Sequence, residues 1–163
     1  MKAIRLHRRG GPEQLVYDDA PKPELSPGDA LIRVHATGIT PAELTWAETY
    51  SNCDGSERLP TIPGHEVSGV VKSVADGVSD VSIGAEVYAL TSFCRNGGAA
   101  EYVEPNREQL GEIAALIDSG AIRPVIAETI PLARAKEAFE RGVAGHTRGK
   151  LVLQIAAPER ASA

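Results

Sequence analysis

Up to about residue 103, apolar and polar residues alternate over short stretches broken by Gly and Pro, the pattern of strands with one buried and one wetter face. The clearest case is 30–36, where Ala30, Ile32, Val34 and Ala36 share one face and Leu31, Arg33 and His35 the other. Ser26-Pro27-Gly28-Asp29 supplies the turn before it. The same reasoning predicts strands at 2–6, 67–74, 86–90 and 99–103, with bends at 74–78 and 82–85. From about Asn106 the period becomes helical. Asn106 is placed to cap a helix, Gln109 to complete its capping box, and Leu110, Ile113, Ala114 and Ile117 share one face before Gly120. A second helix, 132–143, turns Leu132, Ala135 and Phe139 inward and stops near Gly145; 149–155 returns as a strand. The small, polar tail 156–163 is expected to fray.

Composition narrows the function classes. The chain has 163 residues, 42% of them hydrophobic and 24% charged, as in an ordinary globular domain. Its net charge of −5 argues against nucleic acid as a partner, because phosphate binding needs a cationic surface. No apolar run is long enough for a signal sequence or a membrane span, so a cytoplasmic protein with no membrane partner is expected. Cys53 and Cys94 stand far apart and outside any C-x-x-C pair. That spacing excludes a zinc ribbon and argues against a disulfide framework, leaving Cys94 as an inert small apolar residue.

Several catalytic signatures are absent. No G-x-G-x-x-G opens a helix after a strand, and Gly97-Gly98-Ala99-Ala100 leads into a strand-like segment instead. There is no G-x-S-x-G elbow, H-E-x-x-H helix or paired-carboxylate motif, so hydrolase chemistry has no footing.

Two segments carry a resemblance: 34–43, VHATGITPAE, and 59–71, LPTIPGHEVSGVV. With Arg123-Pro124-Val125-Ile126, Ile130-Pro131-Leu132 and 146–153, HTRGKLVL, they resemble the medium-chain dehydrogenase/reductase superfamily, in particular its zinc-independent quinone oxidoreductase-like branch. The resemblance implies a mainly β fold with flanking helices (α+β), a partly open β-barrel of the GroES-like kind forming one domain over 1–155. Residues 1–103 resemble the family's substrate domain and 105–155 the C-terminal segment that completes it. The family's Rossmann domain, which would fall between them, is missing at 102–105. NADPH, the cofactor of full-length relatives, is therefore not expected in this chain. The implied ligand is a small apolar carbonyl, enone or quinone-like molecule. The implied partner is a second copy, docked through the face that the missing domain would cover.

The same resemblance singles out side chains. His65-Glu66 matches the Gly-His-Glu segment that gives zinc-dependent relatives a metal ligand. Thr40 replaces the first cysteine ligand and another falls in the missing domain, so no metal is expected. His65 then reads as a partly buried histidine hydrogen-bonded near Glu66, and Glu66 as a structural carboxylate beneath the cleft. Thr40-Pro41-Ala42-Glu43 resembles the Asn-Pro-x-Asp/Glu turn beside the nicotinamide. By its residue types it is equally a helix start, with Thr40 as N-cap, Pro41 first, and Glu43 third as in a capping box. Trp46, Tyr50 and Phe93 form either an aromatic wall for a flat substrate or core packing. Two other function classes stay open: a cofactor-independent isomerase, dehydratase or cyclase using Glu43, His65 and Glu66 as acid/base groups, and a non-catalytic binding module.

Overall fold

The computed structural model describes residues 1–79, 81–105 and 123–157. Strand β1 (Lys2–Leu6) pairs antiparallel with β2 (Leu15–Asp19) in a small sheet. The larger sheet is built on β3 (Ala30–Gly38), β4 (Glu66–Val74), β5 (Glu86–Leu90), β6 (Tyr102–Val103), β7 (Ile126–Pro131) and β8 (Lys150–Gln154), in the order β5-β4-β3-β8-β7, with β6 also on β3. Neither sheet closes on itself. Every pairing is antiparallel except β7 with β8. Helix α1 (Ala135–Ala144) packs against β8, with Leu132, Ala135 and Phe139 buried as their spacing predicts. It ends where Gly145 takes a φ of 76°, a region open to glycine at little cost.

β3 shows why these residues make this sheet. It lies at the centre, paired with β4, β6 and β8, so Ala30, Leu31, Ile32 and Val34 are all buried and the expected wetter face is lost at Leu31. Register shifts at Leu31/Ile32 and Val34/Ala36 move the later side chains to the opposite face, so that Thr37 rather than Ala36 is buried. The core is aliphatic, gathered chiefly between β1, β8 and α1, with Phe139 its largest fully buried side chain.

Two strands went unread. β2 exposes Val16 and Tyr17 side by side and ends in Asp18-Asp19, which hides its period. β7 is an edge strand, exposed at all positions but Ile130 and closed by a proline. The strand foreseen at 99–103 shortens to Tyr102–Val103, with Ala100 bridging Ala3. The helix foreseen from Asn106 lies outside the described residues, as does most of the tail.

Candidate functional site

After β3 the chain turns at Thr40 and Pro41 into one helical turn, Pro41–Thr45. Thr40 is not a side-chain cap: its carbonyl accepts from Glu43 N at 2.9 Å, while Lys150 Nζ lies 3.3 Å from its hydroxyl. Nor does Glu43 close a capping box. Its carboxylate points inward, only 1% exposed, and Oε2 accepts from the backbone N–H of Gly64 at 3.0 Å. The lead-in to β4 thus takes the carboxylate that local spacing assigned to the turn.

Gly64 permits this approach. Its φ is +91°, and a Cβ there would stand 2.8 Å from Thr37 Oγ1 and 3.2 Å from Ala99 N. His65 follows, buried, with Nδ1 2.9 Å from Thr91 Oγ1 and Nε2 3.9 Å from Glu43 Oε2. Its hydrogen-bond partner is therefore Thr91, and the carboxylate near it is Glu43 rather than Glu66. Burial pushes Glu43 up to about 7; the Gly64 N–H opposes the shift, the charge of Glu66 adds to it, and Lys150 opposes it. Burial, helped by Arg58, lowers His65 to about 4. Glu43 Oε1 has no hydrogen-bond partner. A protonatable carboxyl and a neutral imidazole thus lie side by side in one buried site.

Phe93 packs on the His65 imidazole. Its ring centroid is 4.6 Å from that of His65 and 5.8 Å from that of Trp46, edge-on at 70°, and it remains 38% exposed. Tyr50 belongs elsewhere: it is 2% exposed, its hydroxyl donates to Leu44 O at 2.7 Å, and it packs in the main core. Glu66 also stands apart, exposed and paired with Lys150 Nζ at 2.8 Å. That ion pair borders a cavity of about 530 Å³ on the outward face of the larger sheet, lined by Gly38, Tyr88, Leu90 and Val152 among others. The foreseen residues therefore separate into the cluster Glu43, Trp46, His65 and Phe93, the ion-pair group Thr40 and Glu66, and the core residue Tyr50.

Three features escaped the sequence reading. Lys150 bridges Thr40 and Glu66 across 110 and 84 residues, a distance along the chain over which spacing carries no information. Arg58 sends Nη2 to the carbonyls of Glu48, Thr49 and Phe93, tying two loops together. Cys53 and Cys94 are joined as a disulfide, which corrects the expectation of an inert, unpaired Cys94. Their separation of 41 residues hid a pairing that the approach of the two loops creates.

A catalytic zinc does not fit this donor set. Thr40 offers no thiolate, and among the described residues no three His, Cys, Asp or Glu side chains converge around His65.

The fold and this cluster define an alcohol dehydrogenase-type GroES-like domain. The alcohol dehydrogenase GroES-like domain family matches residues 26–128, and the chain belongs to that family. Among its relatives, quinone oxidoreductase from Rattus norvegicus is 38% identical over 104 residues, covering 63% of this chain and 30% of the relative. An alcohol dehydrogenase from Moraxella is 29% identical over 151 residues, covering 77% and 44%. The chain spans about 30% of the length of the quinone oxidoreductases it matches. Of solved structures, an NAD-dependent alcohol dehydrogenase superposes with a TM-score of 0.82 at 14% identity, covering 96% of this chain and 100% of that one. Quinone oxidoreductase from Coxiella burnetii gives 0.61 at 23% identity, covering 83% and 54%. The resemblance to the medium-chain superfamily and the GroES-like fold class both hold.

Proposed function

We propose that this chain is the substrate-binding unit of an NADPH-dependent quinone or enone oxidoreductase-like protein, and that alone it transfers no hydride. The observation carrying this reading is the contact of Phe93 with Trp46 and with His65, whose Nε2 lies 3.9 Å from Glu43 Oε2. A flat apolar carbonyl compound suits this arrangement, with aromatic faces for its ring and a buried acid for its oxygen.

A nicotinamide dinucleotide does not fit the described residues. Its pyrophosphate needs a glycine turn that opens a helix after a parallel strand. Here Gly97 packs against the backbone of Pro63 and Gly64 and Gly98 against the Val67 side chain, with Gly98 N donating to Gly64 O. The passage from β6 to β7 comprises residues 104–125, too few for an inserted domain of ~50 residues or more. Isothermal titration tests the reading: NADPH should give no stoichiometric micromolar binding, whereas 9-fluorenone, a flat apolar ketone, should bind and quench Trp46. Tight NADPH binding would overturn it.

The same reading leaves the outward face of the larger sheet uncovered, and a two-fold dimer through that face is the assembly it calls for. A second reading, a cofactor-independent isomerase, dehydratase or cyclase, is favoured by one observation: Glu43 near 7 beside a neutral His65 is a usable acid/base pair. Turnover of an enone without nicotinamide, abolished in Glu43→Gln, would select it.

A further inference from the structure

We propose that the Cys53–Cys94 disulfide is a redox-sensitive latch that fixes the aromatic wall, holding Phe93 in place when oxidised and releasing it when reduced. The proposal rests on the cleft reading above for its consequence on ligand binding, though not for its structural part.

The base of the loop bearing Phe93 is firmly held. Thr91 N donates to His65 O at 2.7 Å, Arg95 Nη1 meets both carboxylate oxygens of Asp29 at 2.9 Å, and Asn96 Oδ1 accepts from Ile62 N at 3.0 Å. The tip is not. Among the described residues, two links tie Phe93 and Cys94 to the loop opposite: the disulfide and the bond from Arg58 Nη2 to Phe93 O at 3.1 Å. The opposite loop is organised by bonds within itself, Asn52 N to Ser56 O, Gly55 N to Asn52 O, and Asp54 Oδ1 accepting from Ser56, so it stays formed when the link is cut.

Chemical access is open, because Cys53 is exposed and Cys94 is half-buried. A dithiol reductant attacks one sulfur as its thiolate, breaking the S–S bond and forming a mixed disulfide. Its second thiol then displaces the remaining protein thiol. Two electrons and two protons reach Cys53 and Cys94 as two thiols, and the reductant leaves as a cyclic disulfide. An exposed link is of the labile kind, and in a reducing compartment such links act as redox sensors. Cys94 is the immediate neighbour of Phe93, so its release acts directly on the ring that contacts His65 and Trp46.

Trp46, the chain's single tryptophan, reports the state of the latch. The folded chain is treated with iodoacetamide before and after dithiothreitol, and mass, far-UV circular dichroism and Trp46 emission are recorded. Without reductant no carbamidomethyl group should add; after reduction two should, with the circular dichroism unchanged and the emission shifted to the red as Phe93 leaves. Cys53→Ser, at the exposed tip, should show the red-shifted emission without reductant. By equilibrium dialysis, reduction should weaken 9-fluorenone binding about tenfold, the scale for losing one immobilised side chain from a site. Alkylation without reductant, or two alkylated thiols with unmoved emission, overturns the latch. If 9-fluorenone fails to bind even the oxidised chain, the cleft reading falls and the emission shift alone decides the latch.

Discussion

At the scale of single residues, Glu43 and His65 are displaced from their ordinary titration in opposite directions by the same cause, loss of water. Between about pH 4.5 and 7 the folded chain keeps a proton on Glu43 that the unfolded chain has released. This contribution to stability is fully present below 4.5 and lost as pH rises through 7; at about 1.4 kcal/mol per pH unit it amounts to about 3 kcal/mol. His65 runs the other way. Its unfolded imidazole takes up a proton below about 6.5 that the folded one refuses until about 4, so stability falls as pH drops through that window. Glu43→Gln keeps an acceptor for Gly64 N but removes the carboxyl titration. The melting temperature of the variant relative to wild type should therefore climb as pH rises from about 5 to 7, measured by differential scanning calorimetry. Phe93→Ala removes the ring contacts to His65 and Trp46 and should weaken 9-fluorenone binding about three- to tenfold, as expected for one aromatic pair. At this scale the sequence placed Glu43 and His65 among the candidates through their motifs, and Trp46 and Phe93 as two of its few aromatic rings. It did not separate them from Tyr50, because an aromatic ring has the same composition signal in a core as in a cleft.

At the scale of elements, the turn before β4 carries the site. Gly64→Ala would put a side chain at a φ of +91° and within 2.8 Å of Thr37 Oγ1. A loss of about 1–3 kcal/mol is expected, read from urea denaturation, with a weakened Glu43–Gly64 bond as its local sign. The disulfide acts on the same region through the unfolded chain: a link across 41 residues is worth about 2–4 kcal/mol, so reduction should lower the melting temperature while leaving the native fold intact. α1 was legible because it buries one side and exposes the other, whereas β4 and β5 were legible as short apolar runs between turns, Gly69, Val70 and Val71 being buried in succession. β3 was legible in position only, since its bulges and its three neighbours change which side chains are buried. β2 and β7 were not legible, because edge strands carry charge and proline where central strands carry alternation.

At the scale of the whole molecule, the larger sheet presents Tyr88, Leu90, Ile126 and Val152 around its outward cavity. Sedimentation velocity should show a dimer, and Ile126→Asp should return the protein to a monomer without loss of helix or sheet signal; a wild-type chain that stays monomeric at high concentration would remove that assembly. Among the described residues no helix is long and apolar enough to cross a membrane. What the sequence determined by itself was local or motif-borne: the strand positions with clean alternation, the inward face of α1, and membership of the GroES-like family through segments such as IPGHEVSG. What only the tertiary structure decided were the meetings between distant residues: Cys53 with Cys94, Lys150 with Glu66, and Glu43 with Gly64 and His65. The reason is physical. Periodicity records what a residue's neighbours along the chain require, whereas these contacts depend on the order in which strands are laid side by side and on the bulges that set which face each side chain takes.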